Sequence, residues 1–200
     1  MFTERVQSRT GQREATRQRV VGAAATLFRE HGFSATTIRQ IAEKAGVSVG
    51  TVMAAGDKDS LLVSTFDEGI AAVHSGRGAS AEAGSRLTAE QAARRIEALV
   101  LPFLELFEAD LDLARHYGSV LFRGGHDAAA MNGLASALKA EFTAVLEQAG
   151  LSADDAAQAA ETIHFAYLGV LFSWAGGAFG PESAPAKIRA AALSVAESGR

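Results

Sequence analysis

Residues 36–52 read TTIRQIAEKAGVSVGTV, and the rest of the chain is organised around them. Ile38, Ile41, Ala42 and Ala45 recur at spacings of three and four, so one side of a first short helix is apolar. Gly46 stands where the chain must turn sharply, a left-handed position that glycine enters without steric penalty. Val47 is an apolar plug after the turn, Ser48 is a good N-cap for a second helix, and Val52 points back at the first. Ala42 is small where the two helices should cross. The pattern is that of a helix-turn-helix, whose second helix enters the DNA major groove. An ordinary helical hairpin in a core is the alternative, but small, turn and cap residues all fall at the spacing a DNA-reading pair needs.

Working outward, a first helix is expected from about Arg13 to His31, with Val20, Val21, Ala24, Leu27 and Phe28 as its stripe and Gly32 as its stop. The preceding residues 1–12 read as a polar arm that either reaches a DNA groove through Arg5 and Arg9 or has no fixed role. Phe33 packs under the head. Thr36 and Thr37 can cap the next helix or meet a phosphate, and the two uses compete for one hydroxyl. The probing helix spans Ser48 to about Ala54, which leaves Val49, Met53 and Ala54 to read bases by apolar contact, for example with a thymine methyl. Arg39 is the one side chain in the motif able to bond guanine with two hydrogen bonds, unless it simply lies on a solvated face. A fourth helix runs from Asp57 or Lys58 to about His74.

The 200 residues carry a net charge of −4, unevenly spread. Residues 1–60 hold nine Lys/Arg against six Asp/Glu, a net of +3, and the remainder is at −7. A basic head on an acidic body is expected if only the head meets phosphates. With 48% hydrophobic residues, three prolines and no cysteine, the composition suits an all-α fold and excludes disulfides and thiolate chemistry. The polar N-terminus lacks a signal core, and no apolar run is long enough to span a bilayer, so a soluble cytoplasmic protein with no membrane partner is expected.

The stretch Ser75 to Arg86, SGRGASAEAGSR, reads as a linker. The expected division is therefore a head over 1–56, a connecting helix over 57–75 and a body over 76–200. In the body, helices are expected from Thr88 to Phe107 with Pro102 inside, over Leu111–Arg123, from about Ala128 to Gln148, over Ala153–Ala175, and after Pro185, about nine in all. The segment IHFAYLGVLFSWAGGAF is apolar all round. Such a helix needs cover on every side, and a chain of this size cannot easily supply it, so one face should meet a second copy. Phe165, Leu168 and Phe172 form one such face, and Ile188, Ala192 and Val195 lie on the last helix. Phe103, Phe107, Tyr117, Phe142 and His164 either line a mainly apolar small-molecule pocket or are plain core.

No Gly-rich phosphate loop, nucleophile elbow or His-x-x-x-His pair is present. The five histidines are scattered, and His126 beside Asp127 reads as loop surface. No metal, no cofactor and no catalysis are expected.

The pieces TRQRVVGAAATLFREHGFSATTIRQIAEKAGVSVGT and DKDSLL, within residues 16–62, resemble the N-terminal domain of the TetR/AcrR family of bacterial transcriptional repressors. The resemblance implies an all-helical homodimer with a three-helix DNA-binding head and a variable ligand-binding body, dimerising through its last two helices. It implies double-stranded operator DNA and a small-molecule inducer as partners, and a phosphate contact from Lys58, which otherwise is an exposed first-turn lysine. The chain departs from the family at Met53, Ala54, Ala55 and Gly56, where relatives carry aromatic residues, and the link to Lys58 is one residue shorter. Phosphate anchoring then falls to Thr51, Lys58, Arg39 and helix N-termini, with Ser48 opening the probing helix. A helical small-molecule-binding dimer without DNA binding is the rival reading.

Overall fold

The computed structural model describes residues 2–76, 86–124 and 129–198, the side chains of 2–9 and 129–131 excepted. Most of the linker reading and the residues around His126 lie outside this range. Among the described residues the fold is all helix: α1 Phe2–His31, α2 Ile38–Ala45, α3 Val49–Ala55, α4 Lys58–Gly76, α5 Ala89–Glu108, α6 Leu111–Arg123, α7 Ala129–Gln148, α8 Ala153–Ala175 and α9 Ala184–Ser198, with a 3-10 turn at Pro181–Ser183. None of these helices is long and apolar enough to cross a membrane.

The main departure from expectation is at the start. The polar arm is the first third of α1, which begins at Phe2 and not near Arg13. The physical reason is plain in retrospect. Polarity does not break a helix, and Glu, Arg and Gln are good formers. Between Phe2 and Arg13 Gly11 is the least favourable residue, and no proline intervenes. At the other end, α4 continues through Ser75 to Gly76.

The chain forms two compact units. The first runs to Gly69 and takes in most of α6, from Asp112 onward. Its core joins Val20, Val21, Ala24, Leu27 and Phe28 of α1 to Ile41 and Ala42 of α2, Val52 of α3, and Leu61, Leu62 and Phe66 of α4, all buried. Leu113, Tyr117 and Val120 of α6 are buried too, and the Tyr117 ring stacks on Phe66 at 4.4 Å.

The second unit covers 70–111 and 127–200. There α9 packs against α5 and α8, and α7 against α8 and α5. Small residues set this packing: Ala92 and Ala93 of α5 and Ala184, Ala192 and Ala196 of α9 are all buried, so the helix backbones approach closely. Larger side chains, among them Ile96, Phe103, Phe142, Leu146, Ile163 and Ile188, fill what remains.

Candidate functional site

The helix-turn-helix is locked by its own backbone. Thr37 caps α2 and shares a capping box with Gln40: the Gln40 amide donates to Thr37 Oγ1 at 3.3 Å, and the Thr37 amide donates to Gln40 Oε1 at 2.8 Å. At the far end Gly46 takes φ 64°, ψ 39°, and the Val47 amide reaches back to the Ala42 carbonyl at 3.0 Å. This is a Schellman-type stop, and it needs a residue that tolerates a left-handed backbone. Ser48 then caps α3, accepting from the Thr51 amide at 3.1 Å, with the two hydroxyl oxygens 2.9 Å apart. Both helix starts therefore spend a side-chain oxygen on local order.

The short link after α3 also has a local cause. Only Gly56 and Asp57 separate α3 from α4. Gly56 sits at φ 151°, ψ 165°, and a Cβ there would come 2.9 Å from Ser60 Cβ. Asp57 accepts from the Ser60 amide at 2.8 Å and so caps α4. Glycine is what lets the chain re-enter a helix this quickly.

With Val52 buried, α3 turns Val49, Met53 and Ala54 outward. Val49 is 46% and Met53 52% exposed, and four residues apart they share one face of α3. Arg39 and Thr37 are exposed on α2, Ser48 is exposed, and Thr51 is half-buried.

Two residues expected at a DNA surface have other work. Thr36 is 1% exposed, and its hydroxyl faces the carbonyl oxygens of Gly32 at 2.8 Å and Leu27 at 3.1 Å. It ties down the end of α1 and cannot reach a phosphate. Lys58 Nζ donates to the carbonyls of Phe33 at 2.8 Å and Thr36 at 3.0 Å, with Ser34 further off at 3.5 Å. The same ammonium lies 4.3 Å from the centre of the Phe33 ring. The ammonium is thus turned into the α1–α2 connection, so in this arrangement it is a brace and not a free cation.

Residues 20–63 match the model of the bacterial regulatory proteins of the tetR family. The head is similar to that family's domain over this stretch. Beyond the head, the helical fold itself is similar to that of solved structures. A TetR transcriptional regulator from Rhodococcus sp. RHA1 superposes with a TM-score of 0.67 at 19% identity, over 91% of this chain and 96% of that one. Thermus thermophilus FadR, a TetR-family transcriptional repressor solved with lauroyl-CoA, gives 0.59 at 23% identity, over 92% and 94%. No curated protein matches the chain in sequence.

The five candidate ligand residues divide between the two units. Tyr117 belongs to the first, where it stacks on Phe66. Phe103, Phe107, Phe142 and His164 are all buried in the second. His164 is the distinctive one. Its Nδ1 is buried without a hydrogen-bond partner. Burial holds its pKa below the usual 6.5; Lys139 on α7 pushes the same way, and Glu161 opposes. A neutral imidazole with an unmet polar atom is a ready hydrogen-bond partner for a ligand. Sequence reasoning passed over His74, which ends the stripe of α4. Its ring meets Phe103 at 5.0 Å, and its Nδ1 lies 3.9 Å from Glu141 Oε1 on α7. The signal was there: a histidine closing an apolar stripe is half inside. Among the described residues no group of three or more His, Asp or Glu gathers as a metal site.

The expected pairing surface is also split. Ile188 and Ala192 are fully buried within the chain, because α9 packs onto α5 and α8. Their side chains are already covered and present nothing to a second copy. Val195, Leu168 and Phe172 are half-buried, and Phe165 is 63% exposed. Gly169, one turn after Phe165, has open space around its Cα.

Proposed function

We propose that the protein is a ligand-responsive transcriptional regulator, most simply a repressor, that binds a palindromic operator as a homodimer. A small, mainly apolar molecule entering the body changes the spacing of the two heads and releases the DNA. Such release requires that the molecule bind one spacing better than the other. The observation that carries the reading is the outward face of α3: Val49 and Met53 stand in solvent on a short helix whose every end is capped. Thymine methyls would cover them, and Arg39 would add a guanine contact. In the body, Phe103, Phe107 and Phe142 supply apolar walls and His164 one polar anchor, which suits a largely hydrocarbon or aromatic ligand with a single polar group. Phe165, Leu168 and Phe172 form the pairing face.

Fluorescence anisotropy with duplexes from the region upstream of the protein's own gene tests this. A two-fold symmetric site, steep loss of affinity with salt, and about 1–3 kcal/mol lost in Arg39→Ala are the expected results. A monomer in solution, or no binding even in dilute buffer, would overturn the reading. The rival, a small-molecule-binding dimer without DNA binding, draws on the lack of any basic or aromatic residue in α3. It predicts ligand binding with no duplex affinity.

A further inference from the structure

The probing helix carries a reactive sulfur in solvent. The chain has three methionines and no cysteine. Met1 and Met131 lie elsewhere in the sequence, and Met53 is on α3. Its side chain is 52% exposed, and Val49, one turn earlier on the same face, is exposed too. The adjacent Val52 is fully buried, which fixes the rotation of α3 and keeps the thioether outside. With no thiol to compete, an exposed thioether is the side chain most open to a two-electron oxidant.

A methionine in this place reads bases only by being apolar. Thymine offers it a C5-methyl group and, beside that, the O4 acceptor. Oxidation turns the thioether into a sulfoxide, which is polar and has no proton to donate. Against thymine the new oxygen meets a methyl group and another acceptor, so it loses water and gains no hydrogen bond. The rest of α3 supplies no remedy. Its sequence, VGTVMAA, has one polar side chain, Thr51, whose hydroxyl is already paired with Ser48 at 2.9 Å. The fold is indifferent to the change, because Met53 lies outside the core that Val52 joins.

We propose that Met53 is an oxidation switch: hypochlorous acid converts its thioether to the sulfoxide, and the polar oxygen loosens the hold of α3 on the operator. The inference rests on the DNA reading above. The sulfur lone pair takes chlorine from hypochlorous acid and hydroxide is released; water then adds to sulfur as chloride leaves. Sulfur loses two electrons, chlorine gains them, and one net proton goes to solvent. Methionine sulfoxide reductases reverse the change at the expense of two thiols, which become a disulfide while the oxygen leaves as water. The switch acts at the reading helix itself, so it releases DNA with no ligand in the body.

The test treats the full-length protein with hypochlorous acid, with free methionine in the same solution as the gauge of dose. Peptide mass spectrometry follows each methionine, and anisotropy follows affinity for a duplex from the protein's own upstream region. Wild type, Met53→Leu and Met131→Leu are compared, each against its own untreated sample. Wild type and Met131→Leu should gain the Met53 sulfoxide and lose affinity about tenfold or more, with the thermal midpoint unmoved. Methionine sulfoxide reductases with a dithiol should restore it. Treated and untreated Met53→Leu should bind alike, and bound duplex should slow the oxidation of Met53. Three results would each overturn the switch alone: Met53 left intact while free methionine is consumed, a Met53 sulfoxide that binds as before, or an equal loss in Met53→Leu. Failure of the untreated wild type to bind the duplex would overturn the DNA reading and the switch with it.

Discussion

Lys58 and Phe33 are joined twice: the ammonium donates to the Phe33 carbonyl at 2.8 Å and lies 4.3 Å from the centre of the Phe33 ring. One lysine at the start of α4 thus holds the connection that sets where α2 begins. The Phe33 ring also meets His116 of α6 at 4.9 Å, and Arg123 of α6 bonds Asp59 of α4 at 2.8 Å. The first turn of α4 is the meeting point of three other parts of the head. A shift of this turn would be felt at once by the helix-turn-helix.

Lys58→Met should lower stability by ~1–3 kcal/mol, the cost of leaving partly buried carbonyls without donors. Urea midpoints measure the loss. If Lys58 braces the head and touches no phosphate, the variant's DNA affinity falls while its salt slope stays at the wild-type value. A slope smaller by about 0.9 would instead mark a direct phosphate contact.

Thr36→Val keeps the shape and removes the hydroxyl that serves the Leu27 and Gly32 carbonyls. The expected cost is ~1–2 kcal/mol of stability with no separate effect on duplex binding once folding is allowed for. Thr37→Ala loses the α2 cap, again worth ~1 kcal/mol. Chemical denaturation of the two variants side by side separates buried bond from exposed cap.

Stability should depend on pH through two groups of opposite sign, the buried His164 and the half-buried Asp67. His164 stays neutral in the fold because burial depresses its pKa below 6.5. As the pH falls through 6.5 the unfolded chain takes up a proton that the folded chain refuses, and stability drops. Asp67 is raised above its usual 3.8, chiefly by burial and against the pull of Arg17. Its fold holds a proton that the unfolded chain has lost, so stability falls as the pH rises through that raised value. His164→Gln should flatten the loss between about pH 7 and pH 5, and Asp67→Asn should stabilise near pH 7. Denaturation midpoints at the two pH values decide both.

Phe165→Asp places a charge at the centre of the open face of α8. Being 63% exposed, Phe165 contributes little to the fold of one chain, so helicity and the thermal midpoint at low concentration should hold. Sedimentation should show a dimer in the wild type and a monomer in the variant. A variant still dimeric would place the interface elsewhere.

The head was the legible part of this chain because its signals are local. Gly46, Ser48 and the stripe of Ile41, Ala42 and Val52 each act within a few residues, and the periods of three and four that mark helices need no knowledge of neighbours. The all-α fold, the helix ends at His31, Arg123, Gln148 and Ala175, and the TetR-type head follow from such short-range rules. Who stands opposite whom does not. Lys58 reaches carbonyls more than twenty residues away, Tyr117 stacks on a ring of α4, and Ile188 and Ala192 turn inward onto α5 and α8. A lysine with a free ammonium and one with three carbonyl partners look the same in a sequence. Tertiary packing alone decides between them, since it brings the acceptors within reach and takes away the water that would otherwise compete for the charge.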